Sequence, residues 1–192
     1  TLIDDDVVEL SNLQRQIAHG TEDIGKPKVE SAREALNQLN PLVQVETINR
    51  RLDEAQLNQL IARCDLVLDC SDNFATRFEV NRCCVNNKIP LVSGAAIGME
   101  GQVAVFDSRT ADQPCYRCLY KEESEETNLN CSSNGVMAPL VGIVGSVQAM
   151  EAIKVIAKLG EPLIGKLLLL DAMVMQWRNL RLPKDPACPV CG

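Results

Sequence analysis

The chain has 192 residues, 46% of them hydrophobic and 3% aromatic, which is the length of one domain with a core built mostly from aliphatic side chains. Nineteen Lys and Arg against 26 Asp and Glu leave a net charge of -7, so the basic stripe that neutralises duplex phosphates is missing and nucleic acid is excluded as a main partner. The longest uncharged apolar stretch, Gly135 to Met150, is broken by Gly, Pro, Ser and Gln, and the acidic start has no basic leader; neither a membrane span nor export is expected, and the expected compartment is cytoplasmic.

In chain order, Leu2 to Asp4 reads as a strand, followed by Ser11-Asn-Leu-Gln-Arg-Gln16 and by Gly25-Lys-Pro-Lys28 opening a helix. That helix, 28 to 39, places Val29, Ala32, Ala35, Leu36 and Leu39 on one face and stops at Asn40-Pro41, because proline disfavours the helical conformation in the residue before it. Acids ending a strand suit a ribose hydroxyl, and Arg15 and Lys28 suit a polyphosphate at a helix start; solvated surface groups are the plainer alternative. His19, the only histidine, reads as a surface or packing residue.

Val43 to Ile48 and Leu66 to Cys70 read as further strands, separated by a helix over 53 to 63. Leu66 to Cys70 runs as a buried strand into Asp72 and Asn73, at the carboxyl end where open parallel sheets bind ligands. A carboxylate there suits Mg2+, or Asp72 caps the helix over 74 to 87; spacing alone does not separate the two. Strands Leu91 to Ala95 and Val103 to Phe106 follow each other with Gly98 and Gly101 between them, so an antiparallel or irregular pair is expected. The glutamate-rich segment 121 to 130 is expected to be a mobile loop, and a long helix then spans about Ala138 to Leu159 before a strand over Leu167 to Leu170. Strands alternating with helices of this length specify an α/β fold with a doubly wound, mostly parallel sheet.

Two of the nine cysteines stand in Cys115-Tyr-Arg-Cys118 and two in Cys188-Pro-Val-Cys191. Two C-x-x-C pairs in one reduced chain point to a tetrahedral Zn2+ site, the alternative being two unrelated pairs. Four thiolates leave no open position, so such a zinc is structural and contributes on the order of 10 kcal/mol to the folded state. Of the remaining five, Cys64, Cys70, Cys83 and Cys84 read as core and Cys131 as a loop residue.

The stretches Asp6 to Gln16, Gly25-Lys-Pro-Lys28, Leu68 to Asn73, Ser93-Gly-Ala-Ala96, Glu100-Gly-Gln102, Cys115 to Cys118, Gly135-Val-Met-Ala-Pro139 and Cys188 to Cys191, taken in order, resemble the MoeB/ThiF family. The similarity runs from the first residue to the last, as one nucleotide-binding adenylation domain over 1 to 192. It implies an ATP-dependent adenylyltransferase that activates the C-terminal Gly-Gly carboxylate of a small ubiquitin-like sulfur-carrier protein, for thiamine or molybdopterin cofactor biosynthesis. The same resemblance implies Mg2+, a homodimer, and a cysteine desulfurase or other sulfur donor as a further partner. Residue by residue, Asp4 matches the ribose-binding acid, Asn12 and Arg15 the phosphate contacts, Lys28 the triphosphate lysine, Asp72 the Mg2+-linked aspartate beside Asn73, and Cys131 a sulfur-transfer cysteine.

Met99-Glu-Gly-Gln102 and Val136-Met-Ala-Pro139 resemble the molybdopterin branch, while Asn130-Cys131, Gln176-Trp-Arg178 and the closing Cys188-Pro-Val-Cys191 resemble the thiamine branch. Family members begin with an arginine-bearing helix, a strand and a G-x-G-x-x-G loop, which have no counterpart in this sequence. The expectation is therefore a fragment with two interior strand edges unpaired, poorly stable and inactive in isolation. A noncatalytic, zinc-stabilised binding partner of a carrier or activating subunit is the alternative of a different class. A nicotinamide dehydrogenase is disfavoured, since neither a hydride-transfer site nor the glycine fingerprint is present.

Overall fold

Leu91 and Val92 point to opposite faces of one strand, and the two hydrophobic cores of the larger part of the molecule grow from that alternation. The computed structural model describes residues 1–122 and 135–192. The chain, read above as one domain, divides into two compact units, 1–53 and 54–192.

In the first unit, β1 (Leu2–Ile3) pairs in parallel with β2 (Thr47–Ile48) across the helix α1 (Lys28–Leu39). Val8 and Val29 are buried here. The apolar face expected along α1 is buried only at its start: Leu36 and Leu39 are exposed, whereas Ser31 is buried, with its hydroxyl 2.8 Å from His19 Nδ1. Burial lowers the pKa of His19, which fits its reading as a packing residue.

The second unit is a five-stranded sheet in the order β3 (Val67–Asp69), β4 (Leu91–Ile97), β5 (Glu100–Phe106), β6 (Lys166–Asp171), β7 (Gln176–Arg181). Its helices among the described residues are α2 (Glu54–Ile61), α3 (Phe74–Asn87), the single turn α4 (Tyr116–Leu119) and α5 (Ala138–Ala157). Phe78, Cys83 and Cys84 of α3 pack with Leu91, Ala104, Phe106 and Tyr116 on one face of the sheet. On the other, Leu140, Val144, Ala152 and Val155 of α5 pack on Val92, Val103, Val105 and Leu170. Helices thus cover both faces, as a doubly wound sheet requires.

The expectation of a mostly parallel sheet is corrected. Among the named strands of the described residues, β1–β2 and β3–β4 pair in parallel, while β4–β5, β5–β6 and β6–β7 are antiparallel. The reversal starts at the two-residue turn Gly98-Met99, where Gly98 takes φ +55°, which glycine adopts without a Cβ penalty. β7 was not foreseen, because its side chains are exposed on both faces and show no apolar alternation. The strand read as buried over Leu66 to Cys70 is a short one paired only with β4 among the described residues, and Leu68 is 46% exposed. Cys70, read as core, is exposed just past its end; Cys83 and Cys84 are buried and Cys64 is half-buried.

By length and composition alone, α5 is apolar enough to cross a membrane. Its sheet-facing side nevertheless carries buried Gln148 and Glu151. Glu151 accepts the Leu163 N–H at 2.7 Å and pairs with Lys154 at 2.6 Å. Gln148 donates to the carbonyls of Asp69 at 2.9 Å and Val92 at 3.3 Å. These bonds tie α5 to the sheet and the loop after it.

Candidate functional site

The β3–α3 turn is organised from outside by Asp69, Arg77 and Ser93 and from within by Ser71 and Asn73. Buried Asp69 accepts the Ser71 N–H at 3.0 Å and hydroxyl at 2.6 Å through Oδ1, and the Ser93 hydroxyl at 3.2 Å through Oδ2. Buried Arg77, one turn into α3, donates Nε and Nη2 to the Ser71 carbonyl at 3.1 and 2.5 Å. Its Nε lies 4.0 Å from the Asp69 carboxylate, and its guanidinium stands over the Phe74 ring. Asn73, and not Asp72, is the N-cap of α3, accepting the Thr76 N–H at 2.9 Å. That fixes Asn73's oxygen in a structural role.

Asp72 is exposed, and its carboxylate has no hydrogen bond or ion pair among the described residues. A free hard-oxygen donor at the carboxyl end of a strand suits Mg2+.

In the first unit, Asp4 Oδ1 accepts the Asp6 N–H at 2.8 Å, and Asp6 Oδ2 pairs with Lys28 Nζ at 2.6 Å. Lys28 therefore opens α1 with its ammonium already held by a carboxylate. Asn12 is buried in a 3-10 turn, where its Oδ1 accepts the Glu9 N–H at 3.1 Å. Arg15 donates to the Ser11 carbonyl at 3.0 Å and is partly exposed. The structure thus brings Asp4, Asp6 and Lys28 together, with Asn12 and Arg15 sharing the turn that follows. Cys131 lies outside the described residues, as does most of the segment expected to be a mobile loop.

Cys115, Cys118, Cys188 and Cys191 converge, with all four sulfurs within 4.8 Å of one another. Cys115 Sγ is 3.7 Å from Cys188 Sγ, and Cys118 Sγ 3.5 Å from Cys191 Sγ. A tetrahedron with Zn–S near 2.3 Å has sulfurs ~3.8 Å apart, so the four side chains fit zinc and are too far apart for disulfides. Burial pushes the Cys115 thiol up to about 11, against a lowering contribution from the Asn81 amide. Burial works to raise Cys188 as well, but backbone N–H donors from Cys191 and Val190 outweigh it and bring this thiol down. A metal held here would be the counter-charge that lets all four ionise together.

Sequence reasoning missed Asp69, Arg77, Asn81 and Gln148. Each sits inside a strand or helix, where a polar residue reads as surface until the packing shows it buried.

The chain matches the ThiF family over residues 1–190. It is 53% identical over 192 residues to the molybdopterin-synthase adenylyltransferase of Escherichia coli K12, spanning all of this chain and 76% of that protein. It is 46% identical over 191 residues to the sulfur carrier protein ThiS adenylyltransferase of the same organism, spanning 100% of this chain and 75% of that protein. The crystal structure of E. coli MccB with ATP superposes with a TM-score of 0.84 at 25% identity, covering 99% of this chain and 57% of that one. The α/β fold is Rossmann-like in the manner of that structure, and the chain belongs to the ThiF family.

Proposed function

We propose that this protein is an ATP-dependent adenylyltransferase that activates the C-terminal carboxylate of a ubiquitin-like sulfur-carrier protein, in thiamine or molybdopterin cofactor biosynthesis. The observation that carries this reading is the 53% identity, along the whole chain, to an enzyme named for adenylation in molybdopterin synthesis. Relatives named for the molybdopterin reaction, at 53% and 51%, stand above the ThiS enzyme at 46%, which favours a molybdopterin-type carrier.

In the reaction, an oxygen of the carrier's terminal carboxylate attacks the α-phosphorus of ATP. The bond from that phosphorus to the bridging oxygen breaks, pyrophosphate leaves with the electron pair, and the product is an acyl-adenylate. No protein nucleophile is needed, so positioning and charge supply most of the acceleration. Mg2+, when bound, neutralises phosphate charge. Asp72 offers the carboxylate that would hold it, on a turn that Asp69 and Arg77 keep in place. Asp4 holds the ribose; Asn12, Arg15 and Lys28 contact the phosphates, Lys28 exchanging its Asp6 partner for the nucleotide. Cys115, Cys118, Cys188 and Cys191 hold a structural zinc that takes no part in the chemical step. Cys131 attacks the carbonyl carbon of the acyl-adenylate through its thiolate, forming a thioester with the carrier as AMP leaves with the electron pair; the sulfur that later reaches the carrier comes from a cysteine desulfurase or another donor. The enzyme works as a cytoplasmic homodimer.

The test is pyrophosphate release on mixing the intact enzyme and Mg–ATP with a molybdopterin-type or a thiamine-type carrier. The expected result is carrier-dependent release that disappears when the carrier's C-terminal carboxylate is blocked. Carrier binding without pyrophosphate release would replace the enzyme with a binding partner.

A further inference from the structure

Asn81 is 1% exposed on α3, against the turn that carries Cys115. Its Oδ1 accepts the backbone N–H of Tyr116 at 2.9 Å, and its Nδ2 stands 3.6 Å from Cys115 Sγ. The first bond dictates the second. Only the carbonyl end of a primary amide accepts an N–H, so the end left facing the sulfur is a donor and nothing else.

Tyr116 opens α4, where an N–H has no acceptor inside the helix, and at 1% exposure it has no water either. Asn81 satisfies it, and the same bond holds the amide plane against Cys115. The backbone supplies a donor to another sulfur of the cluster: the Asp185 N–H lies 3.5 Å from Cys118 Sγ. Cys115 is served by a side-chain amide, from a helix 34 residues earlier in the chain.

Four thiolates on a divalent cation leave a net charge of about -2 in a largely buried place, and each N–H donor to sulfur disperses part of it. We infer that Asn81 is a positioning residue of the metal centre, orienting Cys115 and stabilising its thiolate through Nδ2–H···S. This rests on the reading of the four cysteines as a zinc site. Asn81→Asp is the informative change, because it keeps the volume and the acceptor for Tyr116 while placing an anion against the sulfur. Asn81→Leu removes acceptor and donor together.

The experiment compares the full chain with N81D and N81L, each titrated with Zn2+ against a competing chelator and with Co2+ followed by absorption. The wild type is expected to bind one metal, with sulfur-to-cobalt charge-transfer bands. N81D is expected to weaken zinc affinity about 10- to 100-fold and to shift those bands, and N81L to weaken it less. If N81D does not fold, Asn81→Ser, which retains a small hydroxyl donor, replaces it and is expected to fall between wild type and N81L. A merely structural Asn81 would lower the unfolding midpoints of metal-free and loaded protein equally, leaving affinity and spectrum unchanged. That result overturns the inference. A wild type that binds neither metal overturns the zinc reading itself, and is told apart by failing before any variant is compared.

Discussion

Arg77 holds the carbonyl of Ser71 with two guanidinium donors, at 3.1 and 2.5 Å. Because the peptide unit is planar, a fixed Ser71 carbonyl also fixes the Asp72 N–H and the direction in which the Asp72 Cα leaves the turn. A buried guanidinium is costly unless its donors are used, and here they restrain the residue before the one proposed to hold the metal.

Arg77→Lys keeps the charge and loses the fork. It is expected to lower the turnover of adenylation about tenfold, with a smaller change in KM for ATP, and to reduce stability by about 1–3 kcal/mol. Val103→Ala, a buried change in the other core, serves as the control for stability alone. Equal turnover losses in the two variants would mean that Arg77 acts only through the fold.

Asp72→Ala is expected to abolish carrier adenylation while leaving the unfolding midpoint within a degree or two, since the side chain is exposed and Asn73 provides the cap. The loss corresponds to several kcal/mol of transition-state stabilisation. Pyrophosphate release measured at saturating Mg–ATP checks this, and near-normal release would remove Asp72 from the chemistry.

Removing zinc with a strong chelator is expected to lower thermal stability at chelator concentrations that leave nucleotide affinity intact. The cluster ties residues 115–118 to 188–191, 73 positions apart, so its loss frees a long loop. Metal content and calorimetric unfolding of the same samples decide it; a metal content near zero in protein purified without chelator would contradict the site.

Gly94→Ala drives a Cβ into the Gln148 amide, which is already committed to the Asp69 and Val92 carbonyls. The expected cost is about 1–3 kcal/mol. Adding Gln148→Ala should recover part of the steric cost, so a double-mutant cycle in denaturant is expected to be non-additive. Strict additivity would show that the sheet shifts and that the contact is not tight.

What the sequence determined by itself was whatever local pattern or fixed spacing encodes. Helix α3 over 74 to 87, the long helix α5 beginning at Ala138, the Gly98 reversal and the two C-x-x-C knuckles were all legible, because each depends on residues close together in the chain. Asp72 was legible as a residue at a strand's end, but not its freedom from partners; that depended on Asn73 taking the cap. Only the tertiary structure decided that Asp69, Arg77, Asn81 and Gln148 are buried, since burial of a polar side chain is a property of what packs over it. The antiparallel pairing of β5 with β6 was decided in the same way, because its direction is set by partners far apart in sequence, such as Glu100 with Asp171.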